Sequence, residues 1–105
     1  KVCLYSGTVI KVEEFPKAHK PAFKVWADFG IEIGILQTSA QITAHYAPET
    51  LVGRQIVGCV NLGEKNIAGF LSQFLLIGFS DENGGICLVT VDPACQMVKN
   101  CIKYF

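Results

Sequence analysis

Apolar residues fall on both alternating sets of FLSQFLLIGF, residues 70–79. Leu71, Gln73, Leu75, Ile77 and Phe79 form one set, and Phe70, Ser72, Phe74, Leu76 and Gly78 form the other. A half-exposed strand alternates apolar with polar at period two, so one set should be polar. Neither is. The surplus apolar face is covered by another segment, by another subunit or by a ligand. Which of Phe70, Phe74 and Leu75 belong to the core depends on a register that alternation leaves open.

Elsewhere the pattern also predicts strands. Leu4 to Val12 and Ala22 to Phe29 are rich in β-branched and aromatic residues, and the intervening EEFPKAHKP is a loop stiffened by Pro16 and Pro21. Asp28-Phe29-Gly30 predicts a turn leading into a strand over Ile31 to Gln37. In APETLVG, Pro48 suits the first helical position and Gly53 a stop, so a short helix is expected over 47–52. Gln55 to Asn61 is a further strand, with Gly58 marking a bulge or a close backbone approach. Phe70 to Phe79 follows, then the hairpin loop SDENGG and a last strand over Ile86 to Val91. Many short strands with one short helix predict an all-β domain over residues 1–105, a small barrel and not an open α/β sheet.

Composition narrows the function class. Half of the 105 residues are hydrophobic and 17% are charged, which excludes disorder. No apolar run approaches the ~20 residues of a membrane helix. KVCLYSGTVIKV alternates like a strand and lacks the long apolar block of a signal peptide, so a cytoplasmic protein without membrane insertion is expected. Net charge is zero but unevenly spread. Residues 1–24 hold five lysines against Glu13 and Glu14, whereas residues 25–98 hold Arg54 and Lys65 against seven acids. The chain as a whole is a poor electrostatic magnet for nucleic acid, though Lys17, Lys20 and Lys24 form a local basic patch.

Catalytic chemistry finds no support. His19 and His45 have no second histidine at i+4, and neither G-x-S-x-G nor H-E-x-x-H occurs. Asp28, Glu32, Asp81 and Asp92 fall at turns, where acids are ordinary. Cys3, Cys59, Cys87, Cys95 and Cys101 are an odd number without a C-x-x-C pair. They are expected to be reduced, small apolar residues, and no metal site or cofactor is expected; the Cys95/Cys101 spacing leaves a bridge open. A binding protein, not an enzyme, is predicted.

Three segments taken together, FPKAHKPAFKVWADFG, GILQTSAQITAHYAPETLVGRQIVGCVN and IAGFLSQFLLIGF, closely resemble the CsaA type of protein-export chaperone. That type is a branch of the tRNA-binding OB-fold domains, which are also found appended to methionyl-tRNA synthetases. The resemblance runs in order along nearly the whole chain. It implies a five-stranded Greek-key OB barrel, a homodimer, and a chaperone that holds unfolded or pre-export polypeptides, with tRNA as the alternative ligand. Lys20-Pro21 matches the family's K-P pair, Ser39 and Gln41 its S-A-Q segment, and Asn61 the asparagine that closes the fourth-strand segment. Ile67, Gly69 and Ser72 match the motif that follows, and Leu75 stands where tRNA-binding members place a methionine. With Phe15, Lys65, Phe70, Gln73 and Phe74, these residues form the expected binding surface, a groove centred on Ser72.

The departures bear on the ligand. Close relatives carry a basic pair where this chain has Leu36 and Gln37, and P-P-R-R where it has Gly63, Glu64, Lys65 and Asn66. Each lost phosphate contact weakens salt-dependent affinity, by about 0.7 released counterions on a single strand. A less charged groove favours an apolar peptide over a polyanion.

Overall fold

One long strand, β1 (Leu4–Glu14), organises the molecule because it pairs with two partners in succession. Its first half runs antiparallel to β4 (Gln55–Cys59), from Leu4 opposite Cys59 to Thr8 opposite Gln55. Its second half runs antiparallel to β2 (Phe23–Asp28), ending with Glu14 opposite Phe23. The register shifts between Val9 and Lys11, and this bulge at Ile10 bends the strand so that it serves both halves of a barrel. The computed structural model describes residues 2–95 of the chain.

The remaining strands are shorter. β3 (Ile35–Ala40) pairs with β2, and β7 (Leu75–Leu76) pairs with β4, giving the antiparallel order β3-β2-β1-β4-β7. Two hairpins, β5–β6 (Lys65–Ile67 and Phe70–Ser72) and β8–β9 (Gly78–Ser80 and Ile86–Leu88), are attached to this sheet. The expected all-β class is observed: a nearly closed five-stranded, OB-like barrel with one short helix, α1 (Pro48–Leu51). Thr50 holds the start of α1 by accepting from the Ala47 amide at 3.0 Å, and Leu51 is fully buried in the barrel core. That core comprises Val9, Phe23, Val25, Ala27, Phe29, Ala40, Ile42, Leu51, Ile56 and Phe74. Among the described residues, no helix is long and apolar enough to cross a membrane.

Gly58 is the site of a close approach. A Cβ there would lie 2.8 Å from Phe74 Cδ2 and 2.9 Å from Phe29 Cζ, two core rings in edge contact at 4.9 Å. The third strand begins later than its apolar pattern predicts. Gly30 and Gly34 both have positive φ, and a turn joins them through a 2.7 Å bond from the Gly34 amide to the Gly30 carbonyl. Ile31 is consequently fully exposed, and pairing starts only at Ile35.

The largest difference from expectation lies in residues 70–79. They do not form one strand but contribute to β6, β7 and β8, each paired with a different partner. The chain breaks at Gln73 and Phe74 because that segment closes the barrel against β3. The Gln73 amide donates to the Gln37 carbonyl at 2.7 Å. The Thr38 hydroxyl donates to the Phe74 carbonyl at 2.6 Å and therefore accepts from the Ser72 hydroxyl at 2.8 Å. Ser72 in turn accepts from the Ser39 amide at 3.2 Å. Ser72 and Phe74 thus point inward, whereas Leu71, Leu75 and Phe79 stand at the surface. This corrects the groove read from the sequence: two of its members are interior side chains.

The buried seam makes sharp demands on substitution. Thr38→Val should cost about 1–3 kcal/mol, because it strands the Phe74 carbonyl and the Ser72 hydroxyl. A lower urea midpoint at unchanged slope is the reading that checks it. Gly58→Ala should cost a similar amount, about 1–3 kcal/mol, through overpacking against the two core rings. Ser72→Arg should leave the chain without its native circular dichroism, since a guanidinium has no place beside Thr38.

Candidate functional site

Three aromatic rings meet outside the barrel, beside the β5–β6 hairpin. β2 alternates strictly, so Phe23, Val25 and Ala27 enter the core while Lys24 and Trp26 face outward. Phe15, just beyond β1, packs edge-on against Phe70 at 5.5 Å, and Trp26 packs edge-on against the same ring at 5.7 Å. Such pairs contribute about 0.5–1.5 kcal/mol each beyond their buried area. Phe70 is therefore the shared ring of the cluster.

Two lysines are bound to these rings. The Lys24 ammonium lies 4.9 Å from the Phe15 ring and 5.1 Å from the Phe70 ring. Lys11 lies 4.7 Å over Trp26 and makes a 3.1 Å ion pair with Glu13. Near-surface contacts of this kind contribute about 0.5–1 kcal/mol each and leave the ammonium charges in place, while the alkyl stems cover apolar surface.

The tryptophan is fixed from its other side. Its indole N–H donates to Gln37 Oε1 at 3.1 Å, and Gln37 Nε2 donates to the Leu71 carbonyl at 2.8 Å. Gln37 thus ties the aromatic cluster to the segment that closes the barrel. Beside the cluster lies a cleft of about 320 Å³ lined by Phe15, Pro16, Lys17, Lys24, Ala68, Gly69 and Phe70. Its rim is the tip of the β5–β6 hairpin, where Ala68 (φ 50°) and Gly69 (φ 86°) both have positive φ. A two-residue hairpin of this form needs left-handed backbone at both positions, and an alanine there costs about 1–2 kcal/mol. The Asn66 side chain steadies the tip by accepting from the Gly69 amide at 2.9 Å.

Of the expected site residues, the structure brings Phe15, Gly69 and Phe70 together around this cleft, with Ile67 paired to Phe70 in the hairpin. Ser39 flanks it as the strand partner of Lys24. Lys20, Gln41 and Lys65 are exposed but do not line the cleft, and Leu75 is exposed on β7. Asn61 is engaged elsewhere, where its side-chain oxygen accepts from the Cys3 amide at 2.8 Å. Gln73 belongs to the closing seam, where its side chain accepts from the Gln37 amide and donates to Glu64. Ser72 and Phe74 are buried. Lys11 and Trp26 were missed, although the alternation of FKVWAD already placed Lys24 and Trp26 on one outward face.

Ligand-bearing chemistry also collects elsewhere. His45, Asp81 and Cys87 bring their donor atoms within 4.8 Å of one another, and none of them lines the cleft. No sequence spacing announced this group. Cys95 is a free, exposed thiol, and Cys101 lies outside the described residues.

The model of the family described as a putative tRNA binding domain matches residues 4–100. The chain belongs to that family. Among solved structures, it is similar to the chaperone CsaA of Bacillus anthracis, at 42% identity and a TM-score of 0.86, covering 97% of this chain and 91% of that one. The CsaA chaperone protein of Picrophilus torridus gives 34% identity and a TM-score of 0.88, covering 98% and 92%. The methionine–tRNA ligase of Methanocaldococcus jannaschii is 34% identical over 92 residues, which are 88% of this chain but only 14% of the ligase. The resemblance read from the three sequence segments is borne out by these matches.

Trp26 is the only tryptophan of the chain, so it reports on the cluster directly. Phe70→Ala should shift its emission to the red as water replaces the ring, and should lower stability by about 1–3 kcal/mol. Emission unchanged from that of the parent protein would show that Phe70 does not pack on Trp26.

Proposed function

We propose that this protein is a non-catalytic chaperone that holds extended, unfolded polypeptide across the aromatic cleft. The observation that carries the reading is the state of the lysines around the rings. Lys24 is engaged by two phenylalanines and Lys11 by Trp26 and Glu13, so the face offers rings and alkyl stems more than uncommitted charge. An apolar surface with few directional groups suits clients of many sequences, with main-chain hydrogen bonds adding affinity. Identity of 42% with the chaperone CsaA of Bacillus anthracis, over nearly the full length of both chains, supports the same reading. Holding precursors for export from the cytoplasm is the role it implies. A homodimer is part of the proposal, supported by Leu62, Leu75 and Phe79, which are 61%, 55% and 67% exposed.

The second reading is structure-selective RNA binding. It is favoured by the family match and by the position of the cluster, on the strand face and flanking loops with which OB folds bind oligonucleotides. Exposed Lys17 and Lys20 lie in the loop after β1, and exposed Lys65 opens β5.

A Trp26 fluorescence titration across a salt series separates the two. A permanently unfolded polypeptide should perturb the emission with an affinity that changes little between low and physiological salt. Transfer RNA should bind weakly, with a shallow salt slope of roughly one to two ions. Tight tRNA binding with a steep slope, abolished by neutralising Lys17 and Lys20, would replace the first reading with the second. Sedimentation at micromolar concentration should show a dimer; a monomer alone would remove that part of the proposal.

A further inference from the structure

His45 lies in the loop between β3 and α1, Asp81 opens the turn of the β8–β9 hairpin, and Cys87 is the β9 partner of Phe79. We propose that these three side chains form a zinc site, with the fourth position of the metal open to water. The imidazole nitrogen, carboxylate oxygen and thiol sulfur all lie within 4.8 Å of one another. A tetrahedral zinc ion, with bonds of about 2.0–2.3 Å, places its ligands roughly 3.5 Å apart, so small side-chain rotations suffice. One nitrogen, one carboxylate and one thiolate suit zinc better than calcium or magnesium, which prefer oxygen alone.

The donors are held ready by their surroundings. Asp81 Oδ1 accepts from the amides of Asn83 and Gly85, both at 2.9 Å, which turns Oδ2 toward His45 Nε2 at 2.5 Å. The backbone on either side of the gap is also tied together. The Leu88 amide donates to the Tyr46 hydroxyl at 2.9 Å, which locks the residue after Cys87 to the residue after His45. Gly85 keeps the centre open: a Cβ there would lie 2.7 Å from His45 Nε2 and 3.1 Å from Asp81 Oδ2. The two amides on Asp81 Oδ1 are outer contacts of the kind that orient a metal-binding carboxylate.

Binding replaces the hydrogen bond between His45 and Asp81. The neutral imidazole then coordinates through Nε2 and carries its proton on Nδ1, while Cys87 releases its thiol proton to solvent. The ion would join the β8–β9 hairpin, which forms a two-stranded sheet of its own, to the loop before α1. His45 and Cys87 are exposed and Asp81 is partly so, which gives an ion access from solvent.

Cobalt substitution tests the site on the full chain. Chelator-stripped protein titrated with Co²⁺ should develop a thiolate-to-cobalt absorption band that saturates at one ion per chain and is displaced by zinc. Cys87→Ser should abolish the band, and His45→Ala should weaken binding more than roughly tenfold, while Cys95→Ser leaves both unchanged. Zinc should also protect Cys87, but not Cys95, from alkylation in the unmutated protein, a measurement that depends on no variant folding. Absence of the band, its survival in Cys87→Ser, or undiminished alkylation of Cys87 under excess zinc would each overturn the proposal.

Discussion

A buried pair of hydroxyls closes this barrel. Among the described residues, strand β3 has no regular ladder on its free side; instead Thr38 and Ser72 share a hydrogen bond, and Thr38 also satisfies the Phe74 carbonyl. Polar groups in a core are costly unless each finds a partner, and here each does. The arrangement sets where residues 72–74 must lie, because geometry that fails one bond leaves several groups unpaired. Shape on the outside follows from that constraint on the inside.

The path from seam to surface is short. Gln37 joins the seam through its backbone, bonded to Gln73, and reaches the surface through its side chain, bonded to Trp26 and Leu71. The aromatic cluster therefore rests on the same residue that closes the barrel. Phe70 opens the segment that runs into the seam, so its ring is delivered to Phe15 and Trp26 by the closure itself. Side chains fixed in this way would lose little entropy on binding the polypeptide proposed for this face.

Charge bears on the ligand class proposed for this platform. Lysines concentrate in the first strand, the loop after it and β2, yet two of them are engaged by rings and by Glu13. Glu64 takes a hydrogen bond from Gln73 near the hairpin and adds a negative charge there. Attraction for a polyanion is weakened without any loss of apolar contact.

Local rules determined much of this molecule from its sequence alone. β-Branched and aromatic residues over 22–29 announced β2, Pro48 and Gly53 bounded α1, and Gly58 declared a bulge or a close approach before its neighbours were known. Each depends on residues adjacent in the chain. The stretch 70–79 could not be resolved in the same way, since both alternating sets are apolar and its partners, β5, β4 and β9, lie at other points of the chain. Ser72 looked like a surface residue because the partner that makes it an interior one, Thr38, is 34 positions away. His45, Asp81 and Cys87 were likewise invisible as a group, because spacing along a chain shows donors that are neighbours in sequence and not donors that folding makes neighbours in space. Periodicity reports faces; only pairing across the barrel decides what each face meets.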